Sequence, residues 1–502
     1  METSDSPSRP APGIPRAAAS GSLFRLVVPP IILPVFLSAA DGTVVATALP
    51  AIAASFGEVA NLSWIVVANL IASTIAAPAY GRLGDQFGRR RMMVIALSLF
   101  MVASGLCAIA PSFWFLLTAR ILQGLGAGGL MTLAQALLGE HVPPRQRGSY
   151  QGYLSANIVA GSTIGPVAGG FVTQAWGWHA VFLAYLPLGL VAILLILRLP
   201  RGQVSGRHGG FDALGMVLLT GFVVPLLLSV AQLQRLNSAA LPTLGAWLAL
   251  TAAALAALLW QQKRARSPLL ALPLLRIPAF WRSDIMSACS GASLTAMMTF
   301  LPIYLQAVTG ASPAESGLLL IPLTGAVSLG SVLTGGLISR TGRTAIFPTI
   351  GLTITAISLV GLAIWAPSLS RLQLAWLLAL GSLSQGSAMI TAQITVQAVS
   401  GLHQLGAAAA SVQLSRSLGS AFGAAVAGAV LFGVLSLMDP DIARLFVEMV
   451  RRGAGALDGL SAAQQEAARA EIATAFRGVF LTVACFSCVI VGCAATLPIR
   501  RL

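Results

Sequence analysis

Apolar residues along this chain come in uninterrupted runs of about twenty, separated by short hydrophilic gaps, and strict alternation with polar residues is absent. Fourteen runs can be drawn: 24–48, 61–80, 92–111, 113–138, 150–173, 179–198, 212–232, 242–260, 284–306, 316–338, 346–366, 373–399, 407–436 and 476–497. A helix needs about 20 apolar residues to cross hydrocarbon, whereas a barrel strand needs about 9–11 in alternation. The pattern predicts an all-α integral membrane protein, a bundle of 14 transmembrane helices.

The gaps repeat. The one after the second run reads GRLGDQFGRRR (Gly81–Arg91), and the one after the tenth reads GGLISRTGR (Gly335–Arg343); Gly, Leu, Gly and Arg recur at the same spacing. LQGLG in the fourth run matches SQGSA in the twelfth, aligning Gln123 with Gln385, and Pro50 aligns with Pro302. GSTIGPVAGG in the fifth run resembles GSAFGAAVAG in the thirteenth. Each pairing skips eight runs, which predicts six helices, two extra helices and six more, the plan of a secondary transporter with repeated halves. Where the first copy has Asp41, Asp85, Arg120 and Pro166, the second has about Ser293, Ser339, Ser382 and Ala424, so ionisable chemistry concentrates in the first half. The expected partition is a disordered cytoplasmic tail over 1–22, a six-helix half over 23–200, two extra helices and a cytoplasmic linker over 201–282, and a second six-helix half over 283–502 with an outer loop at 437–474.

Composition agrees. Of 502 residues 56% are hydrophobic and 9% charged, with mean hydropathy +0.85, against about 25% charged in a soluble domain. The net charge of +15 raises the question of nucleic acid. Its distribution answers it: arginines cluster in gaps such as Arg82–Arg91, Arg145–Arg147, Lys263–Arg282 and Arg340–Arg343, which alternate with charge-poor gaps such as APSF and TGASPAES. That is the positive-inside pattern, and it puts both termini in the cytoplasm of a multi-pass chain whose partner is the lipid bilayer. Lys263 is the single lysine among 30 basic residues, a hint of a GC-rich bacterial genome and hence of a bacterial inner membrane. The N-terminal METSDSPSRPAPGIPRAAASGS is rich in Pro, Ser and Ala and reads as disordered; the apolar run after it is too long for a cleaved signal. Cys485 and Cys488 form a C-x-x-C inside an apolar run and read as small apolar fillers, so neither metal nor cofactor is expected.

Three constellations carry candidate chemistry. Asp41, in FLSAADGTVVATALP, is a solitary acid at membrane depth, where ionisable groups are expensive and functional by default; a carboxyl so placed can exchange protons or attract a cation. In the gap Gly81–Arg91, Gly81 and Gly88 permit a tight reversal, while Asp85, with Arg89, can latch onto a partner helix in one state only. Gly161, Gly165 and Gly169 recur every fourth residue and make a small-residue face for close helix packing, and Pro166 removes a backbone hydrogen bond and bends the helix. Arg120 can snorkel to an interface or pair with Asp41, with Gln123 on the same face. Trp64, Asn69, Gln123, Asn157, Pro302, Tyr304 and Gln306 are candidate cavity residues. Ser461 and Gln464 form a capping-box pattern.

Together these motifs resemble the major facilitator superfamily, specifically its fourteen-helix drug–proton antiporter branch. DGTVVATALP is similar to that branch's first-span signature, GRLGDQFGRRR to the superfamily's loop motif, RILQGLGAGG to its fourth-span motif and GSTIGPVAGG to the fifth-span antiporter motif. LPIYLQAVTGASPAESGLLLIP and SRSLGSAFG are also typical of the branch. The resemblance implies the major facilitator fold and a proton-coupled exporter of small amphipathic or drug-like compounds, functional as a monomer by alternating access. It further implies that Asp41 and Arg120 couple protons, and that Gly81, Asp85, Gly88 and Arg89 gate. The alternative is a dedicated exporter of one metabolite, natural product or lipid-like molecule on the same fold. An enzyme is disfavoured: His141, His179, His208 and His403 lie at run ends or in loops with no Ser/His, metal or paired-carboxylate set. A nucleotide-binding G-x-x-x-x-G-K loop is missing.

Overall fold

The computed structural model describes residues 20–57, 61–200, 210, 212–233, 241–265, 268–270, 272–311, 313–366, 369–452 and 461–498. Among them the regular structure is helical throughout. The first half comprises α1 (Ser20–Phe56), α2 (Ser63–Phe87), α3 (Arg89–Ala108), α4 (Phe113–His141), α5 (Arg147–Trp176), and a sixth crossing made of α6 (Trp178–Leu183) and α7 (Tyr185–Ile196). Then come α8 (Ala213–Leu233) and α9 (Leu241–Arg264). The second half comprises α10 (Pro278–Thr309), α11 (Pro313–Thr341), α12 (Ile346–Trp365), a crossing made of α13 (Arg371–Ser382) and α14 (Gln385–Ser400), α15 (Leu405–Met438), and α17 (Ala462–Ala495), with the short α16 (Pro440–Arg452) before the last.

Among the described residues 13 helices are long and apolar enough to span a bilayer. The remaining crossing is α5, whose 30 residues are about 45 Å long but carry too many glycines and polar side chains to score as apolar. It packs between α1 and α11, so protein rather than lipid solvates most of it. Two crossings are broken, each for a local reason. Pro187 gives the Leu183 carbonyl no donor in the next turn, and α6 ends there. Between α13 and α14 the Leu383 carbonyl turns to α11 at Gly330, where a Cβ would meet that oxygen at 1.5 Å.

Some boundaries differ from those read off the sequence. Helix α1 begins at Ser20, inside the stretch assigned to the tail, whose first nineteen residues lie outside the described ones. Helix α10 begins at Pro278, because proline's fixed φ suits the first helical turn. In the stretch 437–474, α16 buries Phe446 against Phe432 and Phe476, and α17 starts at a complete capping box between Ser461 and Gln464. The segments DIARLFVEMVRR and SAAQQEAARAEIATAF of that stretch, helical by their sequence, are helix.

Each half has its own apolar core. Arginine-rich gaps gather at one end of the bundle, and there the halves touch: α2 and α4 against α15, and α5 against α11 and α14. Glycines set the approach. A Cβ on Gly81 would meet the Gly406 carbonyl at 2.5 Å, and one on Gly335 would meet the Gly148 carbonyl at 2.2 Å. The α8–α9 pair leans on both α2 and α15 and walls the side of the gap between them.

Helix α15 lies on α10 through Gly419 and Gly423, whose added Cβ atoms would fall 2.0 Å from the Ala288 oxygen and 2.4 Å from the Ala292 Cα. Gly419→Val therefore cannot be housed without separating the two helices, at a cost of about 1–3 kcal/mol or more. Gly433→Ala, on the same helix with nothing within 4 Å, should be neutral. Thermal unfolding of the detergent-solubilised chain followed by size exclusion measures the difference; equal melting of the two variants would refute this packing.

Candidate functional site

Asp41 and Arg120, far apart in sequence, meet inside the first half. Both are wholly buried, at 0% exposure. Arg120 Nη1 donates to Asp41 Oδ1 at 2.8 Å, Asp41 Oδ2 at 3.0 Å and Gln123 Oε1 at 2.7 Å, and its Nε donates to the Ile65 carbonyl at 3.3 Å. Asn69 Nδ2 donates to Asp41 Oδ2 at 3.2 Å. Behind Gln123, its Nε2 reaches Ser104 Oγ at 3.4 Å, which in turn donates to the Phe182 carbonyl at 2.9 Å. The Phe182 ring lies 5.9 Å from the guanidinium carbon. Four helices thus converge on one ion pair, and snorkelling of Arg120 to an interface is ruled out. Removing one partner of such a pair strands the other charge, at a cost of about 3–5 kcal/mol.

The helix that carries Asp41 is gripped by α5. Gly161 faces Ala39 and the Phe36 carbonyl, Gly165 faces Thr43, and Gly169 faces Thr47 and Val44. At each a Cβ would come within 3.1 Å of α1. Pro166 lies within the unbroken α5 on a neighbouring face.

A cavity of about 550 Å³ opens where the halves part. Helices α2 and α15 touch at Gly81 and Ala410 and diverge beyond, so that Val66, Asn69 and Ser73 face Gln413, Arg416 and Ser420 across it. Helix α1 contributes Ser38, Ala39, Gly42 and Thr43, α8 contributes Leu227 and Val230, and α5 contributes Ile158 and Ser162. Asn69 links this cavity to the ion pair, since its side chain both lines the space and bonds Asp41.

Of the other candidate cavity residues, Gln123 belongs to the Arg120 network, and Asn157 Nδ2 donates to the Ile32 carbonyl at 2.9 Å, tying α5 to α1. Trp64 is exposed at the start of α2. Tyr304 sits in the second half's core against Phe476 and Phe480, with Pro302 and Gln306 on the same helix, and none of the three lines the cavity. An aromatic or amide in an apolar run packs as readily as it lines a site, and spacing does not tell the two apart. Arg416, inside SRSLGSAFG, is a lone arginine deep in the run 407–436 and so the same kind of signal as Asp41.

At the arginine-rich end, Asp85 (6% exposed) accepts from the backbone N–H of Gly406 at 2.9 Å and of Ala407 at 3.0 Å, at the start of α15. A carboxylate there meets free donors and the positive end of the helix dipole. Arg89 holds it, donating to Asp85 Oδ1 at 2.7 Å, to Glu140 Oε2 at 2.9 Å and to the Leu402 carbonyl at 2.8 Å. Gly88 makes this possible: its φ of 94° turns the chain between α2 and α3. The repeat recurs in geometry. Ser339, counterpart of Asp85, accepts from Ser149 N at 2.8 Å at the start of α5. Likewise Ser293, Ser382 and Gln385, counterparts of Asp41, Arg120 and Gln123, line a cavity of about 30 Å³ in the second half.

The pattern of the Major Facilitator Superfamily matches residues 31–424. The chain is 31% identical over 414 residues to an uncharacterized MFS-type transporter of Mycobacterium tuberculosis, covering 82% of this chain and 60% of that protein, so it spans less than two thirds of that relative's length. It is 30% identical over 447 residues to the tetracenomycin C resistance and export protein of Streptomyces glaucescens, covering 88% of this chain and 81% of that one. Among solved structures, the proton:xylose symporter XylE superposes with a TM-score of 0.62 at 16% identity, covering 96% of this chain and 97% of that one, a likeness of fold.

Asp85→Asn removes a charge-assisted latch, whereas Ser339→Ala removes a neutral one. With Ala410→Cys as reporter in a background lacking the five native cysteines, Asp85→Asn should speed alkylation about tenfold, the equivalent of about 1.4 kcal/mol. Ser339→Ala should change it less. An unchanged rate in Asp85→Asn would show that the carboxylate does not hold the halves together.

Proposed function

We propose that this chain, which belongs to the Major Facilitator Superfamily, is a proton-coupled exporter of small amphipathic compounds that works by alternating access across the bacterial cytoplasmic membrane. The observation that carries the reading is the buried Asp41–Arg120 pair standing one side chain, Asn69, away from a cavity between the two halves. The role carried in the name of the Streptomyces glaucescens relative, resistance and export, supports the outward direction.

By the positive-inside rule the arginine-rich end is cytoplasmic. The contact of the halves at that end then makes this the outward-facing stage of the cycle. A proton arriving from the outside through the cavity neutralises Asp41 and takes away the counter-ion of Arg120. Arg120 keeps its bonds to Gln123 and the Ile65 carbonyl, so the loss falls on the contact between α1 and α4. Helix α1 can shift along the glycine face of α5, where only small side chains and backbone stand in its way. Opening of the Asp85 latch exposes the cavity to the cytoplasm, where the proton leaves and a new substrate enters. One proton moving inward across 100 mV supplies about 2.3 kcal/mol. The pair, the cavity and the latch all lie within one chain, which supports a functional monomer.

The test is substrate-induced proton release from purified protein in weak buffer, across a panel of amphipathic anions, cations and neutral compounds. Wild type should release protons with those compounds it transports. Asp41→Asn should release none and should also be destabilised, because it strands Arg120, by about 3 kcal/mol or more. Asp41→Asn with Arg120→Gln should regain stability without regaining proton release. Undiminished release from the double variant would show that the proton travels elsewhere.

A further inference from the structure

We propose that the central cavity takes amphipathic anions and that Arg416 is the group that recognises their negative charge. The inference rests on the transport reading above and names the substrate class of that same cavity.

Arg416 lies on α15, eleven residues or about 16 Å from the start of the helix, well inside the apolar run. It lines the cavity, and its hydrogen bonds among the described residues run to one neutral oxygen, Gln413 Oε1, from Nε at 3.3 Å and Nη2 at 3.2 Å. Among the described residues no carboxylate pairs with it. The acid on the facing helix, Asp284, is engaged with Ser411 at 2.7 Å, five residues nearer the arginine-rich end. The other buried cation of this depth, Arg120, has its own counter-ion. Arg416 therefore gives the cavity a positive charge that no described acidic group balances, and a charge at membrane depth without a counter-ion marks a binding position.

The remaining walls fit the same ligand. Ser417 and Ser420 add hydroxyls one and four residues from Arg416, and Asn69 adds an amide across the space, where Ser38, Thr43 and Ser73 donate their hydroxyls to backbone carbonyls. Aliphatic side chains such as Val66, Met131 and Leu227 suit an apolar body. Two features a lipophilic cation needs are missing from the lining among the described residues, an aromatic ring and an accessible carboxylate; Asp41 is wholly buried behind Asn69 and already paired. Exchange of one inward proton for one outward monoanion moves two charges in the direction favoured by a negative interior, so export of such a compound is driven by the potential twice over.

The experiment uses three probes built on one ring system with fixed charge: 2-naphthalenesulfonate, 2-naphthalenesulfonamide and N,N,N-trimethyl-2-naphthylammonium. Binding to the detergent-solubilised full chain is measured by equilibrium dialysis. Uptake into proteoliposomes is measured under an imposed pH gradient, with and without a membrane potential. Wild type should bind the sulfonate roughly tenfold or more tightly than the ammonium. Arg416→Gln should lose that preference with little change for the sulfonamide, and Arg416→Lys should keep part of it. Preference of the wild type for the ammonium, binding of none of the three, or an anion preference that survives Arg416→Gln would each overturn the inference; the first two need no variant to fold. Sulfonate binding without gradient-driven uptake would instead sink the transport reading and leave the anion site standing. Gradient-driven uptake of the ammonium alone would do the reverse.

Discussion

The ion pair between Asp41 and Arg120 is the interaction around which the first half is organised. Either charge alone inside hydrocarbon is costly, and the pair is tolerable only because α1, α2, α4 and the sixth crossing all supply polar atoms or a ring face to it. That requirement fixes the relative placement of four helices more sharply than their apolar surfaces can, since lipid tails are as apolar as the helices themselves. It also makes the arrangement responsive: changing the charge of one carboxyl changes what those helices have in common.

The two halves share a backbone plan but divide the chemistry unequally. Where the first half has an acid, an arginine and a glutamine, the second has Ser293, Ser382 and Gln385 around a small cavity. Where Asp85 seizes the start of α15 with a charge, Ser339 seizes the start of α5 with a hydroxyl. The first copy of each device carries a charge; the second keeps the geometry with neutral side chains. In the second half the charge appears instead on the cavity wall, as Arg416.

Glycine makes the contacts between the halves close. The touching points of the halves, Gly81 with Gly406 and Gly148 with Gly335, bring backbone against backbone at the arginine-rich end. Such contacts hold by shape and by the few polar bonds around them, without deep interdigitation of side chains, so they can part and re-form as units. The cavity lies just beyond them, between helices that diverge from those points.

Much of the architecture was legible in the sequence because its causes are local or repetitive. Run length set the helix count, since the thickness of hydrocarbon is fixed. The doubled loop motif announced two halves, and the Ser461–Gln464 pattern placed the start of the last helix. Asp41, Asp85 and Arg120 stood out because a charge in an apolar run has few innocent explanations. Tertiary structure alone decided which of these groups meet. Spacing could not say that Arg120 is paired and not snorkelling, that Asp85 reaches Gly406 more than three hundred residues away, or that Tyr304 faces a core and Asn69 a cavity. A residue's helix face follows from its sequence position, but what stands opposite that face depends on how the helices are arranged around it, and that is set by contacts between segments remote in the chain.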